Sequence, residues 1–474
     1  MIGPTIRQSS LFFVPLASQI SLLKDDLLEP MDSLLDHPEL VDLVRQRLAT
    51  RRPRSARTGR PSIAPDRLLR CLVLKHLKGY SFRELERELR ANLVYRRFTR
   101  FDADPTPDFT TLCRTFALMG PSLTEQVHRR VVGVAQEKRV AAGRKLRSDT
   151  TAVESNVHYP TDSTLLADGV RVLTRSLKRI VEECKPGAVA VVNHARSVKL
   201  RLLEISRAAK SLTDANRERL TESYRKLVGL TRGVVQQATE VVEDLQAGRL
   251  PVVGSIVRVL LNDIQLRHFL PLLRRVIAQT EERIFRGNCH VVGKVLSLFE
   301  AHTQTIRKGK VHKPTEFGRL VRIDEVESGI VSQYEVLEGN AADTNAWIPA
   351  LEQHEGHFGR VPEMATADRG YYSAQNERDA KARGVKRVAL PARGRLSKAR
   401  AKLQKERWFQ RALRWRAGIE ATISTLKHPF SMARATYKGE YGFKRYVGWC
   451  VITKNLVSIA RALVQRKANV EQVH

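Results

Sequence analysis

The sequence predicts an α/β protein in three parts: an all-helical N-terminal region, a core of strands and helices, and a long helical insert dividing that core. Three features predict it. From 36 to 139, apolar residues recur at helical spacing. Segments 145–153 and 318–337 are instead rich in β-branched residues, and after the second of them helices alternate with strands. Between these segments, 170–297 has few aromatics and is dominated by Leu, Val, Arg, Lys and Glu. No heptad is sustained there, so a helical bundle is expected rather than a coiled coil. The expected boundaries are 1–143 for the N-terminal region, 144–169 for the first part of the core, 170–300 for the insert and 301–474 for the rest of the core and the C-terminal helices.

The chain has 474 residues, more than one compact core usually needs. Its 42% hydrophobic content excludes a disordered chain. The charge balance is extreme: 82 Lys and Arg against 50 Asp and Glu, a net +32. Such a chain repels itself unless a polyanion neutralises it, and counterion release then drives binding. The basic residues are spread along the whole sequence, so several regions are expected to touch nucleic acid. Cys71, Cys113, Cys184, Cys289 and Cys450 are scattered without a CxxC pair, which suits reduced thiols in the cytoplasm. Cys289 adjoins His290, but no further ligand pair sits at metal spacing. The apolar stretch 11–23 is interrupted by Pro15, Ser18, Gln19 and Ser21 and lacks a clear cleavage site, so it reads as a docking or core segment. No apolar run is expected to reach the length of a membrane span.

The N-terminal region carries its own signals. Arg-rich sequence from 45 to 60 leads to a stop at Gly59-Arg60-Pro61. A helix over 66–77 aligns Leu68, Leu69, Leu72 and Leu77, and Gly79 ends it. Ser81 and Glu84 form a capping box that opens a second helix, with Phe82, Leu85 and Leu89 on one face. Arg83, Arg87 and Arg90 also lie along that helix. Helix, glycine turn and arginine-rich helix suit a helix-turn-helix that docks on DNA. Pro105-Thr106-Pro107-Asp108 then starts a helix with Phe109, Leu112 and Phe116.

In the core, 145–153 is a first strand. Residues 318–337 form a hairpin turning at Glu327-Ser328-Gly329. A helix (347–357), a strand (364–368), a helix (373–383), a strand (386–390), a basic linker (393–405) and a long helix (407–426) follow. That order is the order of a ribonuclease-H-like core, interrupted by the insert.

Phosphodiester cleavage without a covalent enzyme intermediate needs an activated water and a stabilised leaving oxygen, which two divalent ions can provide. Hard cations take carboxylate oxygens, so acidic residues at strand ends and on an adjoining helix are the ones to find. Asp149 lies in the first strand, and Asp368 ends another in Ala367-Asp368-Arg369-Gly370-Tyr371. There Gly370 is expected to allow a tight turn after the carboxylate. Glu420 sits in the last helix with Arg416 and Lys427, four before and seven after it, within a narrow arc. Singly, Asp before Thr is a turn residue and Arg416–Glu420 a surface ion pair. In this order, on these elements, they make a site. Asp162, Asp324 and Asp343 are rival carboxylates, with Asp162 the first choice for a control substitution.

Ala367-Asp368-Arg369-Gly370-Tyr371 and Arg416-x3-Glu420-x6-Lys427 resemble the second and third catalytic blocks of DDE insertion-sequence transposases. The segment from Asp149 through Glu154-Ser155-Asn156-Val157-His158-Tyr159 to Ser163 resembles their first block, especially in the ISNCY-type group. Residues 309–318 are similar to a stretch before the core hairpin in that group, and the N-terminal helices resemble the family's DNA-binding domain. The resemblance implies that Asp149, Asp368 and Glu420 bind two Mg²⁺ ions, with Mn²⁺ able to substitute. It implies that Arg416 and Lys427 contact transposon-end phosphates, with Arg369, Arg83, Arg87 and Arg90 as further DNA contacts. A related motif has Tyr three residues before the Arg; here that position is Leu413. The implied partners are double-stranded DNA, at terminal inverted repeats and at the target, and a second copy or more of the chain on that DNA. The implied place is the cytoplasm, at the nucleoid. Two other readings are a non-catalytic DNA-binding protein derived from a transposase and a metal-dependent nuclease of the same fold.

Overall fold

Strand β1 (Lys145–Ser155) is the axis of a seven-stranded mixed sheet. The computed structural model describes residues 23–51, 62–211, 213–307, 315–339 and 341–471. Residues 11–22, the Gly59-Arg60-Pro61 stop and residues 309–314 lie outside the described residues. The chain divides into two compact units, 1–156 with 306–474, and 157–305.

Among the described residues of the first unit, seven helices precede the sheet: α1 (Leu28–Leu35), α2 (Pro38–Ala49), α3 (Pro65–Lys78), α4 (Phe82–Ala91), α5 (Leu93–Phe98), α6 (Phe109–Ala117) and α7 (Pro121–Glu137). Gly79 caps α3 at φ 68°, a left-handed conformation that favours glycine. Ser81 and Glu84 then form the expected capping box, and α4 buries Leu85 and Leu89. Asp108 caps α6 by accepting from the Thr110 and Thr111 amides.

The strand order is β2 (Gln304–Arg307), β3 (Thr315–Glu325), β1, β5 (Met364–Ala367), β6 (Arg387–Ala389); β4 (Val331–Val336) also pairs with β3, and β7 (Arg434–Ala435) with β1. β1 and β3 are antiparallel, with Asp149 opposite Ile323. β3 and β4 form the hairpin expected over 318–337, with a short 3-10 turn at Glu327–Gly329. β1 and β5 are parallel, with Ser148 opposite Ala367, and β6 continues parallel beside β5. α12 (Trp347–Phe358) and α13 (Ala374–Ala382) connect these strands. The segment 393–405, expected as a linker, contains α14 (Lys398–Lys405): Ser397 caps it by accepting from the Arg400 amide. α15 (Arg407–Lys427) and α16 (Gly439–Glu471) complete the unit.

One hydrophobic core joins the N-terminal helices, the sheet and α16, uniting Leu68, Leu72, Val321, Ile323, Trp449 and Val451. α16 also corrects an expectation. Among the described residues it is the one helix long and apolar enough to cross a membrane, and its apolar window is 72% buried. It packs on α3, α7 and β4, and a helix apolar all round is what a core-central position requires.

The second unit contains α8 (Asp162–Val181), α9 (Ala195–Ala208), α10 (Asp214–Gln246) and α11 (Ile256–Ile284). These helices pack on one another around a separate core that includes Leu173, Leu177, Leu227, Leu266 and Leu273.

Candidate active site

Sheet register makes Asp149 and Asp368 neighbours. Parallel pairing of β1 and β5 runs to Ser148 opposite Ala367; Asp149 is the next residue of β1 and Asp368 the residue just after β5. α15 packs across β1 and β5 and brings Arg416 and Glu420 to the same place. Arg416 then meets all three carboxylates: Nη2 lies 3.0 Å from Asp149 Oδ2 and 3.7 Å from Asp368 Oδ1, and Nη1 lies 3.2 Å from Glu420 Oε1. Exposure rises across the set, from 17% for Asp149 to 48% for Asp368 and 67% for Glu420. The site is therefore open on its Glu420 side. Asp149 Oδ1 also accepts from the Thr150 amide at 2.7 Å.

Three supports hold these side chains. The Tyr371 hydroxyl, buried after Asp368, pairs with Thr150 Oγ1 at 2.7 Å and ties the post-Asp368 turn to β1. Burial pushes the Tyr371 phenol well above its ordinary range, so it stays neutral. Beneath α15, the buried Arg147 guanidinium donates to the Trp415 carbonyl and to Glu325, and it lies 4.7 Å from the Trp415 ring centre. Gly418 makes room for it: a Cβ there would lie 2.5 Å from Arg147 Nη1. Lys454 on α16 is buried close by, its pKa lowered to about 8 by burial against the pull of Glu325. The sequence reading missed Arg147, Glu325 and Lys454. Their only sequence signal is charge inside otherwise apolar segments of β1, β3 and α16.

Gly370 lies in the tight turn expected after Asp368, a 3-10 turn over Arg369–Tyr371, but not through an unusual backbone angle. It is absent from the glycines with positive φ. A Cβ at 370 would instead collide with the Asp343 carboxylate, so glycine permits a close approach. Asp343, one of the rival carboxylates, thus stands two residues from Asp368. The other rivals are used internally. Asp324 is buried and pairs with Arg322 at 2.9 Å; burial raises its pKa against that pairing. Asp162, in the second unit, is buried and accepts from Arg283 at 2.8 Å and Gln279 at 3.0 Å. Removing either breaks a buried ion pair, so Asp162 is a poor control.

The remaining predicted residues are placed as follows. Lys427 is the last residue of α15 and Arg369 is exposed beside Asp368. Leu413 packs against the small cluster of Ala389, Phe409 and Ala412, so no phenol stands there. Arg83, Arg87 and Arg90 are all exposed on α4. Arg83 lies over the Phe109 ring, Arg87 meets Glu88 at 3.4 Å, and Arg90 meets Glu86 at 2.5 Å. Exposed pairs of this kind are weak and exchange readily for phosphates. Cys289 is exposed and Cys184 buried, with neither in a disulfide.

Two family models match the chain, and both describe transposases. Residues 16–118 match the transposase domain (DUF772), and residues 324–456 match the transposase DDE domain. The chain belongs to the DDE insertion-sequence transposases. Asp368, Arg416, Glu420 and Lys427 fall inside the second match; Asp149 and the second unit fall outside both. Comparison with curated proteins and with solved structures returns no match.

Proposed function

We propose that this transposase cuts DNA at the terminal inverted repeats of its element and joins the freed 3′ ends to target DNA, with Asp149, Asp368 and Glu420 as its catalytic carboxylates. The observation that carries this reading is the convergence of all three on Arg416. The sheet supports it too: antiparallel β4, β3 and β1 followed by parallel β5 and β6 is the order we read as a ribonuclease-H-like core. We read the chain as one of the ISNCY-type group, a reading supported by the resemblance of residues 149–163 and 309–318 to that group.

The donor set fits a hard divalent cation. Asp149 in β1, Asp368 just after β5 and Glu420 on α15 supply the oxygens that Mg²⁺ or Mn²⁺ takes. Among the described residues no three acidic, His or Cys groups are gathered closely enough to hold a metal as they stand. Arg416 is the reason: its guanidinium lies among the carboxylates and provides the positive charge they require. Asp149, Asp368 and Glu420 would hold two Mg²⁺ ions once Arg416 turns from Asp149 toward a DNA phosphate, to which a guanidinium binds bidentately. Metal held there supplies water activation and leaving-group stabilisation. Asp149 and Asp368 hold the inner side of the site, and Glu420 closes it from α15. Lys427 and Arg369 grip phosphates beside it, and α4 presents Arg83, Arg87 and Arg90 to the transposon end. The DNA-bound form is a dimer or larger assembly joining two ends, working at the nucleoid in the cytoplasm.

The test is nicking of end DNA by the full chain with and without Mg²⁺. The reading expects Mg²⁺-dependent nicks at the repeat boundary and joined products with target DNA. Binding without nicking would overturn it in favour of a non-catalytic DNA-binding protein; nicks without joining would favour a nuclease.

A further inference from the structure

α11 is apolar on two faces, and its own unit covers only one. Val259, Leu266 and Leu270 point into the core of the second unit. On the other side, Ile256, Val257, Leu260, Leu261 and Ile264 form a ridge, extended by Val253 just before the helix, each between 56% and 70% exposed. A helix apolar all round is ordinarily buried all round. Val257, Leu260 and Ile264 step by three and four, the spacing of a seam that pairs with another helix, with Ile256 and Leu261 beside them.

We infer that this ridge is the contact between two copies of the chain, formed without DNA. Its area points to a protein partner. The six side chains leave roughly 700 Å² of surface in water, above the roughly 300–600 Å² of the largest patch on an ordinary monomer and near the ~800 Å² per partner of a standard interface. Its charge points to a second copy. A chain of net +32 repels itself almost everywhere, but between 253 and 264 the only charged residues are Arg258 and Asp263. Both are paired within their own subunit, Arg258 with Glu183 at 2.5 Å and Asp263 with Arg267 at 2.7 Å. The ridge is thus the stretch where two copies meet with apolar surface and no uncompensated like charge. A two-fold axis sets each ridge on its equal, as a closed homodimer requires. This gives the insert a role that does not depend on the carboxylates: it pairs subunits before DNA arrives.

Sedimentation of the DNA-free full chain at high salt, over a range of micromolar concentrations, tests it. The wild-type chain is expected to sediment at twice the mass of one chain. Leu260→Glu with Ile264→Glu places unpaired charge in the seam and is expected to weaken association on the order of a hundredfold. These positions are exposed, so the helical circular dichroism of the variant should match wild type, while its melting temperature loses the concentration dependence that association gives. A monomeric wild-type chain, or a double variant that dimerises as wild type does, overturns the inference. A wild-type chain that dimerises only after residues 1–22 are deleted overturns it as well, because the apolar residues 11–16 would then be the occupant. Mg²⁺-dependent nicking measured on the same preparations keeps this outcome separate from the catalytic reading.

Discussion

The two sides of α15 carry the same chemistry under opposite conditions. Beneath the helix, Arg147 and Glu325 are 9% and 0% exposed, and Arg147 binds both Glu325 and the Trp415 carbonyl, with Lys454, 5% exposed, held in the field of Glu325. Above it, Arg416 meets Asp149, Asp368 and Glu420 where water reaches them. A buried charge can neither leave nor find another partner, so the lower cluster fixes the helix. An exposed pair is worth little and exchanges readily, so the upper cluster can release its carboxylates to another cation. The difference separates a positioning device from a reactive one, although both consist of an arginine shared among acidic groups.

The largest expected effect lies above the helix. Asp149→Ala, Asp368→Ala and Glu420→Ala should each lower end cleavage by on the order of a thousandfold or more. Gel-shift affinity for the end should stay nearly unchanged. Any one of them cleaving at the wild-type rate would remove that residue from the set.

Below the helix the expected loss is of stability. Arg147→Met leaves Glu325 buried without its guanidinium, which should cost about 3–5 kcal/mol in urea unfolding. A loss under about 1 kcal/mol would place the support of α15 elsewhere.

A third effect follows from pH. Burial lowers Lys454 and Lys75 from 10.5 to about 8. Between pH 8 and 10.5 the unfolded chain therefore binds more protons than the folded one, and stability rises with pH. Below pH 8 both states are protonated and the penalty is constant. Each lysine should add at most roughly 3 kcal/mol across that window. In thermal melts from pH 7 to 10, Lys454→Met should remove about half of the rise; an unchanged slope would contradict the burial of its charge.

The smallest effect is expected at Asp343. It stands against Gly370 but pairs with none of the three carboxylates' cations. Asp343→Asn should change cleavage by no more than about threefold, a difference under ~1 kcal/mol. A drop comparable to that of Asp368→Ala would make it a fourth member of the site.

Much of this was legible in the sequence, for local reasons. The Ser81–Glu84 capping box, the Gly79 stop and the hairpin at Glu327-Ser328-Gly329 are signals written within a few residues. Asp149 and Asp368 were visible because both sit where a β-rich run meets polar residues, and Glu420 because Arg416 lies one turn before it. What the sequence concealed is non-local. The Ser148–Ala367 register that sets the two aspartates side by side spans nearly half of the chain. Arg147, Glu325 and Lys454 gain meaning only when three distant elements meet. α14 was missed because its Lys and Arg residues gave no apolar period, although Ser397 was a readable cap. The turn at Gly370 was legible, but why a glycine stands there was not, because its sequence cannot distinguish an unusual φ from a close neighbour.

One measurement bears most directly on the claim that the three carboxylates form one metal site. Fe²⁺ put in place of Mg²⁺, with ascorbate and peroxide, generates radicals that cut the polypeptide beside the bound ion. Fragments should map to the chain around 149, 368 and 420 together, and all three cuts should vanish in Asp149→Ala. Cuts confined to one of these segments, or gathered around Asp324 or Asp162, would contradict it.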